Sequence, residues 1–205
     1  MAPKKNRKVT AAHKSQNRVW LAIAVIAILV ISVGVYFSLA DQAPTTIPPT
    51  KVLLQTTAGD ITIDLRTDKP ITSENFINLV KEGKYDGTTF YRTMTGFMIQ
   101  GGQVSGSIPT IKDEIGSNNR NLPYTIAMAK TNQPNSATSE FFINVADNGQ
   151  YANFDSTYTV FGNVIAGMDV VDAIANAPVT ENPNMPGEMS SPINPVTIIT
   201  ATIVP

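Results

Sequence analysis

Among its 205 residues the chain has no cysteine and a single histidine. The missing cysteines rule out disulfides, thiol redox chemistry and a thiolate nucleophile. The one histidine, His13, lies in a Lys/Arg-rich N-terminal stretch, so everything beyond it lacks imidazole as well as thiol. No Ser-His-Asp or Cys-His system and no Cys/His zinc site can be built there. A carboxylate-only Mg²⁺ or Ca²⁺ site stays open in principle, but no loop has the D-x-[DN]-x-[DN]-G pattern. The length suits one medium domain or two small ones with a real hydrophobic core.

Acidic residues are absent before Asp41, and this makes the near-neutral net charge of −1 misleading. Residues 1–18 carry Lys4, Lys5, Arg7, Lys8, Lys14 and Arg18, a block of +6. The rest of the chain sets nine basic residues against sixteen acidic ones, a net −7. Between the blocks, Val19–Ala40 runs for 22 residues without a charge. At 1.5 Å per residue that length crosses a hydrocarbon core of about 30 Å. The one-sided basic flank predicts a cytoplasmic tail (1–18), a transmembrane helix (19–40) and an extracytoplasmic domain. The rival reading is a signal peptide cleaved after Ser38-Leu39-Ala40, which would release a secreted domain, although signal h-regions are usually shorter. An acidic domain repels phosphate backbones, so nucleic acid is not an expected partner.

Residues 41–50, DQAPTTIPPT, read as a semi-rigid Pro/Thr spacer, and 51–205 as the folded domain. Val52, Leu54 and Thr56 alternate with polar neighbours, Ala58-Gly59-Asp60 marks a turn, and Ile61, Ile63 and Leu65 resume the alternation, as in a β-hairpin with one buried face. A helix follows, with Thr72 or Ser73 as cap, Phe76, Leu79 and Val80 as its stripe and Gly83 as its end. Strand-like runs recur at 88–94, 97–100, 125–129, 140–145 and 158–164. A second helical stripe, Met168, Val171, Ile174 and Ala175, precedes a Pro-rich stretch, 178–195, which reads as a plain surface connection rather than a partner-docking arm. The β-branched run Val196–Val204 closes the chain. About eight strands with only two widely separated helices predict a mainly β fold, an eight-stranded antiparallel closed barrel capped by two α-helices.

The densest cluster of unusual residues is FYRTMTGFMIQGG, Phe90–Gly102. Arginine and glutamine among aromatics and methionines suit an apolar groove with a few polar groups, although by composition alone packing is the favoured reading of such a cluster. The segment resembles the signature of the cyclophilins, a class of peptidyl-prolyl cis–trans isomerases. Further blocks match in order: GDITIDL and ENFINLVKEGKYDGTTFYR, then TIAMA with SEFFIN, then Phe161–Val164 running into GMDVV. The similarity extends from about Lys51 to Val204. It implies the same capped barrel, arrived at independently above.

The resemblance also implies the chemistry. Turning an X-Pro bond breaks nothing; the obstacle is amide resonance, a barrier of about 18–20 kcal/mol. No nucleophile, metal or cofactor is required. A donor aimed at the amide nitrogen, which becomes basic only as the bond twists, stabilises the transition state over the ground state. By resemblance Arg92 is that donor, and Gln100 binds substrate and steadies it. Phe97, Met98 and Phe142 wall the proline pocket, with Phe154 and Tyr158 standing where the family usually has Leu and His. Ala129, Lys130 and Thr131 form the edge along which the peptide lies extended. The partners implied are proline-containing segments of folding chains, exported or membrane proteins among them, met by a monomer. The alternative is a non-catalytic peptide-binding or chaperone module on the same fold. Two positions depart from the family. Glu140 replaces the usual Gln before the Phe-Phe pair, where a carboxylate either clamps Arg92 or damps its field. Asn153 stands where many eukaryotic members carry Trp.

Overall fold

A computed structural model describes residues 47–205 of the chain. The basic tail (1–18), the expected span (19–40) and most of the spacer lie outside the described residues. Among those described, no helix is long and apolar enough to cross a membrane. Ile47 is buried in the main core, so the last residues assigned to the spacer belong to the domain.

The first hairpin joins β1 (Thr50–Thr56) to β2 (Gly59–Leu65). Val52 pairs with Ile63 and Leu54 with Ile61, all four buried, because the two-residue pleat puts one alternating set on one face. Helix α1 (Pro70–Lys81) follows, then β3 (Arg92–Met94), β4 (Met98–Gly101), β5 (Thr125–Met128), β6 (Phe141–Asn144) and β7 (Val160–Ala166). Helix α2 (Met168–Ala175) leads to a short pair, β8 (Val179–Glu181) and β9 (Met189–Pro192), and to the terminal β10 (Ile198–Val204). The main sheet runs β10-β1-β2-β7-β5-β6-β4-β3, and every pairing in it is antiparallel.

Three expectations change here. The sheet is a curled half-barrel and not a closed barrel: β3 and β10 share no ladder, and the chain leading into β3 meets the start of β10 through one isolated bridge, Thr89 with Thr197, and the few backbone hydrogen bonds around it. At three residues β3 is too short to complete a ladder, and β9 packs beside it instead. The Pro-rich stretch 178–195 is therefore no plain connection, since it folds into the β8–β9 hairpin. Nor do Thr72 and Ser73 cap α1. Pro70 occupies the first turn, which its fixed φ and missing N–H suit, and the Lys69 side chain at the cap makes no capping bond to the helix.

The helix is capped from 42 residues away. The Glu114 carboxylate accepts from the Thr72 N–H at 2.8 Å, the Thr72 hydroxyl at 2.7 Å and the Ile71 N–H at 3.2 Å, supplying negative charge at the positive end of the helix. Buried Lys69 donates to the Glu114 carbonyl at 2.6 Å, which ties the loop down a second time. Glu114→Ala should therefore cost about 1–2 kcal/mol of unfolding free energy. Urea melts of the two proteins measure it, and superimposable curves would contradict the capping role.

Phe76 of α1 fills the core against Tyr85, Phe141 and Phe161, with ring centroids 5.0, 5.6 and 5.2 Å away. Burial pushes the Tyr85 hydroxyl well above its usual range, and it donates to the Ser139 carbonyl at 2.9 Å.

Candidate functional site

The site is an outcome of strand register. Gly96, at φ +70°, turns β3 back on β4, and Arg92 then pairs with Gln100 and Met94 with Met98. Across the sheet Gln100 pairs with Phe142, and Phe142 with Ala127. Directly opposed residues share a face, so Arg92, Gln100, Phe142 and Ala127 form one row on the outside of the curl. The neighbouring row, Thr93, Ile99, Ile143 and Ile126, faces the core. One sheet thus presents a catalytic-type face and a packing face with no extra element. Phe97 escapes the alternation because it belongs to the turn, and it joins Met98, Phe142 and Val160 in a second apolar cluster.

That cluster lines a cleft of about 320 Å³ bounded by Arg92, Phe97, Met98, Gln100, Ala129, Lys130, Asn132, Phe142, Phe154, Tyr158 and Met185. Nine of these were singled out in the sequence; Asn132 and Met185 were not. The rings pack edge to face: Phe142 lies 5.3 Å from Tyr158 at 89° and 5.8 Å from Phe154 at 69°, and Phe97 lies 5.7 Å from Phe154. Thr131 and Glu140 line a smaller neighbouring cleft of about 190 Å³, which shares Gln100, Ala129 and Lys130 with the first. Lys130 turns away to an ion pair with Asp113 at 2.6 Å.

The loop carrying Phe154 and Tyr158 is held by asparagines that no local pattern singles out. Buried Asn148 donates to the carbonyl of Phe97 at 2.8 Å and to Asn144 at 2.7 Å. Asn119 donates to the carbonyls of Asp155 and Tyr158 at 2.6 and 2.8 Å and accepts from the Val160 N–H at 2.9 Å. Asn153 adopts φ +63°, a left-handed conformation that asparagine tolerates better than most residues, and its carbonyl takes the hydroxyls of Ser156 and Thr157.

Glu140 neither clamps Arg92 nor bonds to it. Its Oε2 accepts from the Tyr91 hydroxyl and from Gln100 Nε2, the latter at 3.0 Å. A carboxylate only accepts, so Gln100 must turn its amide N–H toward Glu140 and its carbonyl toward Arg92 Nη1, 3.2 Å away. Burial, then the Glu140 bond, raises the Tyr91 hydroxyl well above its usual range. The clamp comes from elsewhere. Glu188, just before β9, takes Arg92 Nε at 2.7 Å and Nη2 at 2.8 Å in a two-pronged pair. This pair raises the Arg92 pKa and pulls the Glu188 carboxyl from 4.5 down to about 2. Because the folded value is the lower one, the pair contributes fully above pH 4.5 and is lost as pH falls toward about 2. The Tm advantage of the native chain over Glu188→Gln should shrink across that window. An advantage that stayed constant down to about pH 3 would contradict it.

Comparison with known proteins points the same way. The family model described as "Cyclophilin type peptidyl-prolyl cis-trans isomerase/CLD" matches residues 51–203. The chain is 41% identical over 177 residues to peptidyl-prolyl cis-trans isomerase A of Dickeya dadantii, covering 82% of this chain and 90% of that one. It is 42% identical over 164 residues to the isomerase cyp18 of Streptomyces antibioticus, covering 74% and 97%. Among solved structures it resembles a Cryptosporidium parvum cyclophilin type peptidyl-prolyl cis-trans isomerase, with a TM-score of 0.68 and 25% identity over 77% of this chain and 99% of that one. A second structure of that protein, determined in the presence of the dipeptide Ala-Pro, gives a TM-score of 0.65.

Proposed function

The chain belongs to the cyclophilin-type peptidyl-prolyl cis–trans isomerases, and from that premise we propose how its own residues turn an X-Pro bond. The proline ring enters the cleft among Phe97, Met98, Phe142, Phe154 and Tyr158. The flanking peptide lies along Ala129, Lys130 and Thr131. Arg92 Nη1, beside Gln100, points its remaining hydrogen at the prolyl amide. As the bond twists, resonance is lost and the nitrogen lone pair becomes an acceptor, so a fixed guanidinium donor gains its full bond only near the top of the barrier. Gln100 holds that donor, and Glu140 holds Gln100. The observation that carries the reading is the register that sets Arg92, Gln100 and Phe142 in one row at the mouth of an aromatic cleft.

Methionine methyl NMR tests the placement. Met98 and Met185 border the cleft, whereas Met168 lies on α2. An Ala-Pro peptide should shift the first two signals and leave Met168 alone, with an Ala-Ala peptide shifting none. Equal shifts from both peptides would contradict a proline pocket here.

We further propose that residues 19–40 anchor the chain with its isomerase domain outside the cytoplasm, serving exported and membrane proteins as they fold. The support is the uncharged run itself, flanked by +6 on one side and −7 on the other. The mass of membrane-extracted protein checks it: the anchor predicts a chain retaining residues 1–40, and a mass starting at Asp41 would overturn it.

A further inference from the structure

The β8–β9 hairpin, 96 residues beyond Arg92 at Glu188, supplies that arginine's largest contact. Glu188 reaches it already fixed. Fully buried Ser190 donates to Glu188 Oε1 and itself accepts from Asn182 Nδ2 at 3.0 Å. The Asn182 N–H donates to the Glu188 carbonyl at 2.7 Å, and Glu181 accepts from the Gly187 N–H at 2.7 Å. Both partners of the Arg92–Glu188 pair are mostly shielded, with side chains 17% and 23% exposed.

The guanidinium is therefore gripped on two edges. Glu188 holds Nε and Nη2, Gln100 holds Nη1 from one side, and Nη1 keeps one hydrogen directed elsewhere. A single bond from Gln100 leaves the guanidinium plane free to swing, whereas a forked pair fixes it. Catalysis by one donor depends on that plane, because the acceptor is a nitrogen lone pair with a defined direction.

We propose that Glu188 is a positioning residue for Arg92, so that the 179–192 hairpin is a working part of the isomerase site. The proposal rests on Arg92 being the catalytic donor. Its rival is a plug, in which the carboxylate holds arginine away from substrate. The built network behind Glu188 favours a fixed support.

Steady-state isomerisation by the full chain tests it, using Glu188→Ala alone and combined with Arg92→Ala. Glu188→Ala should lower kcat about tenfold with KM nearly unchanged, since the donor is misaimed while the pocket is intact. In the Arg92→Ala background the same change should have no further effect. The Arg92 Nε–H NMR signal should move and exchange faster with water in Glu188→Ala. Ser190→Ala, which leaves the pair in place but removes a support, should show a smaller loss in the same direction. Unchanged or higher kcat in Glu188→Ala overturns the proposal, as does an equal loss in both backgrounds, which would mark a purely structural role. Loss in Arg92→Ala together with no loss in Glu188→Ala overturns this proposal alone. Wild-type kcat in Arg92→Ala overturns the donor assignment and this proposal together.

Discussion

Replacing Arg92 with alanine is expected to lower kcat/KM by about 10²–10³, the usual cost of removing one preorganised donor from a transition state. The size follows from how little else in the cleft can serve. Gln100 has its amide N–H committed to Tyr91 and Glu140, and Lys130 is tied to Asp113. The remaining walls are mostly aromatic or apolar. Arg92→Lys should recover only part of the loss, because an ammonium keeps the charge but cannot be forked by Glu188 or steadied by Gln100 at the same time. The fold should survive both changes, since Arg92 sits on the outer face of β3 rather than in the core. Rates and melts measured on the same samples check this. A variant that melts like the native chain yet keeps its rate would contradict the role given to Arg92.

Gly167→Ala is expected to have the largest effect on stability. Gly167 turns the end of β7 into α2 at φ +84°, in the left-handed region, and a Cβ there would stand 2.1 Å from the Asp60 carbonyl oxygen. That oxygen belongs to the backbone of β2 where it leaves its turn from β1, paired there with Gln55, and has no rotamer by which to move aside. Left-handed strain of about 1–2 kcal/mol adds to an overpacking cost of about 1–3 kcal/mol. A loss of about 3 kcal/mol or more should lower Tm by roughly 6–12 °C. A Tm within about 2 °C of the native value would show that β2 and β7 yield more easily than this geometry allows.

How much of this was legible in the sequence depended on the range of the interaction. The β1–β2 hairpin announced itself, because alternation over 52–65 and the Ala-Gly-Asp turn are local. The cleft was legible only through the family resemblance, because composition alone favoured packing; Arg92, Phe97, Met98 and Gln100 fall within nine residues, and their register needs only the turn at Gly96. Barrel closure was not legible: counting strands says nothing of whether the last can reach the first, and here β3 is too short. The cap on α1 was missed because its carboxylate comes from Glu114, with no pattern linking it to Thr72. Glu140, in the SEFFIN block, reads as either a clamp on Arg92 or a damper of its field, while the carboxylate in contact, Glu188, arrives from a Pro-rich stretch with weak strand periodicity. Proline is tolerated in β9 because that strand belongs to a two-stranded sheet with edges to spare.

Exchange NMR on a short X-Pro peptide, with the full-length chain and with Arg92→Ala, tests the central claim most directly. Uncatalysed, the cis and trans proline signals interconvert over tens of seconds or longer and give no exchange cross-peaks. With catalytic amounts of the native chain, cross-peaks between the two signals should appear, with no new covalent species. With Arg92→Ala they should fade to the background. No cross-peaks with the native chain, or equal cross-peaks with both proteins, would contradict an isomerase that works through this arginine.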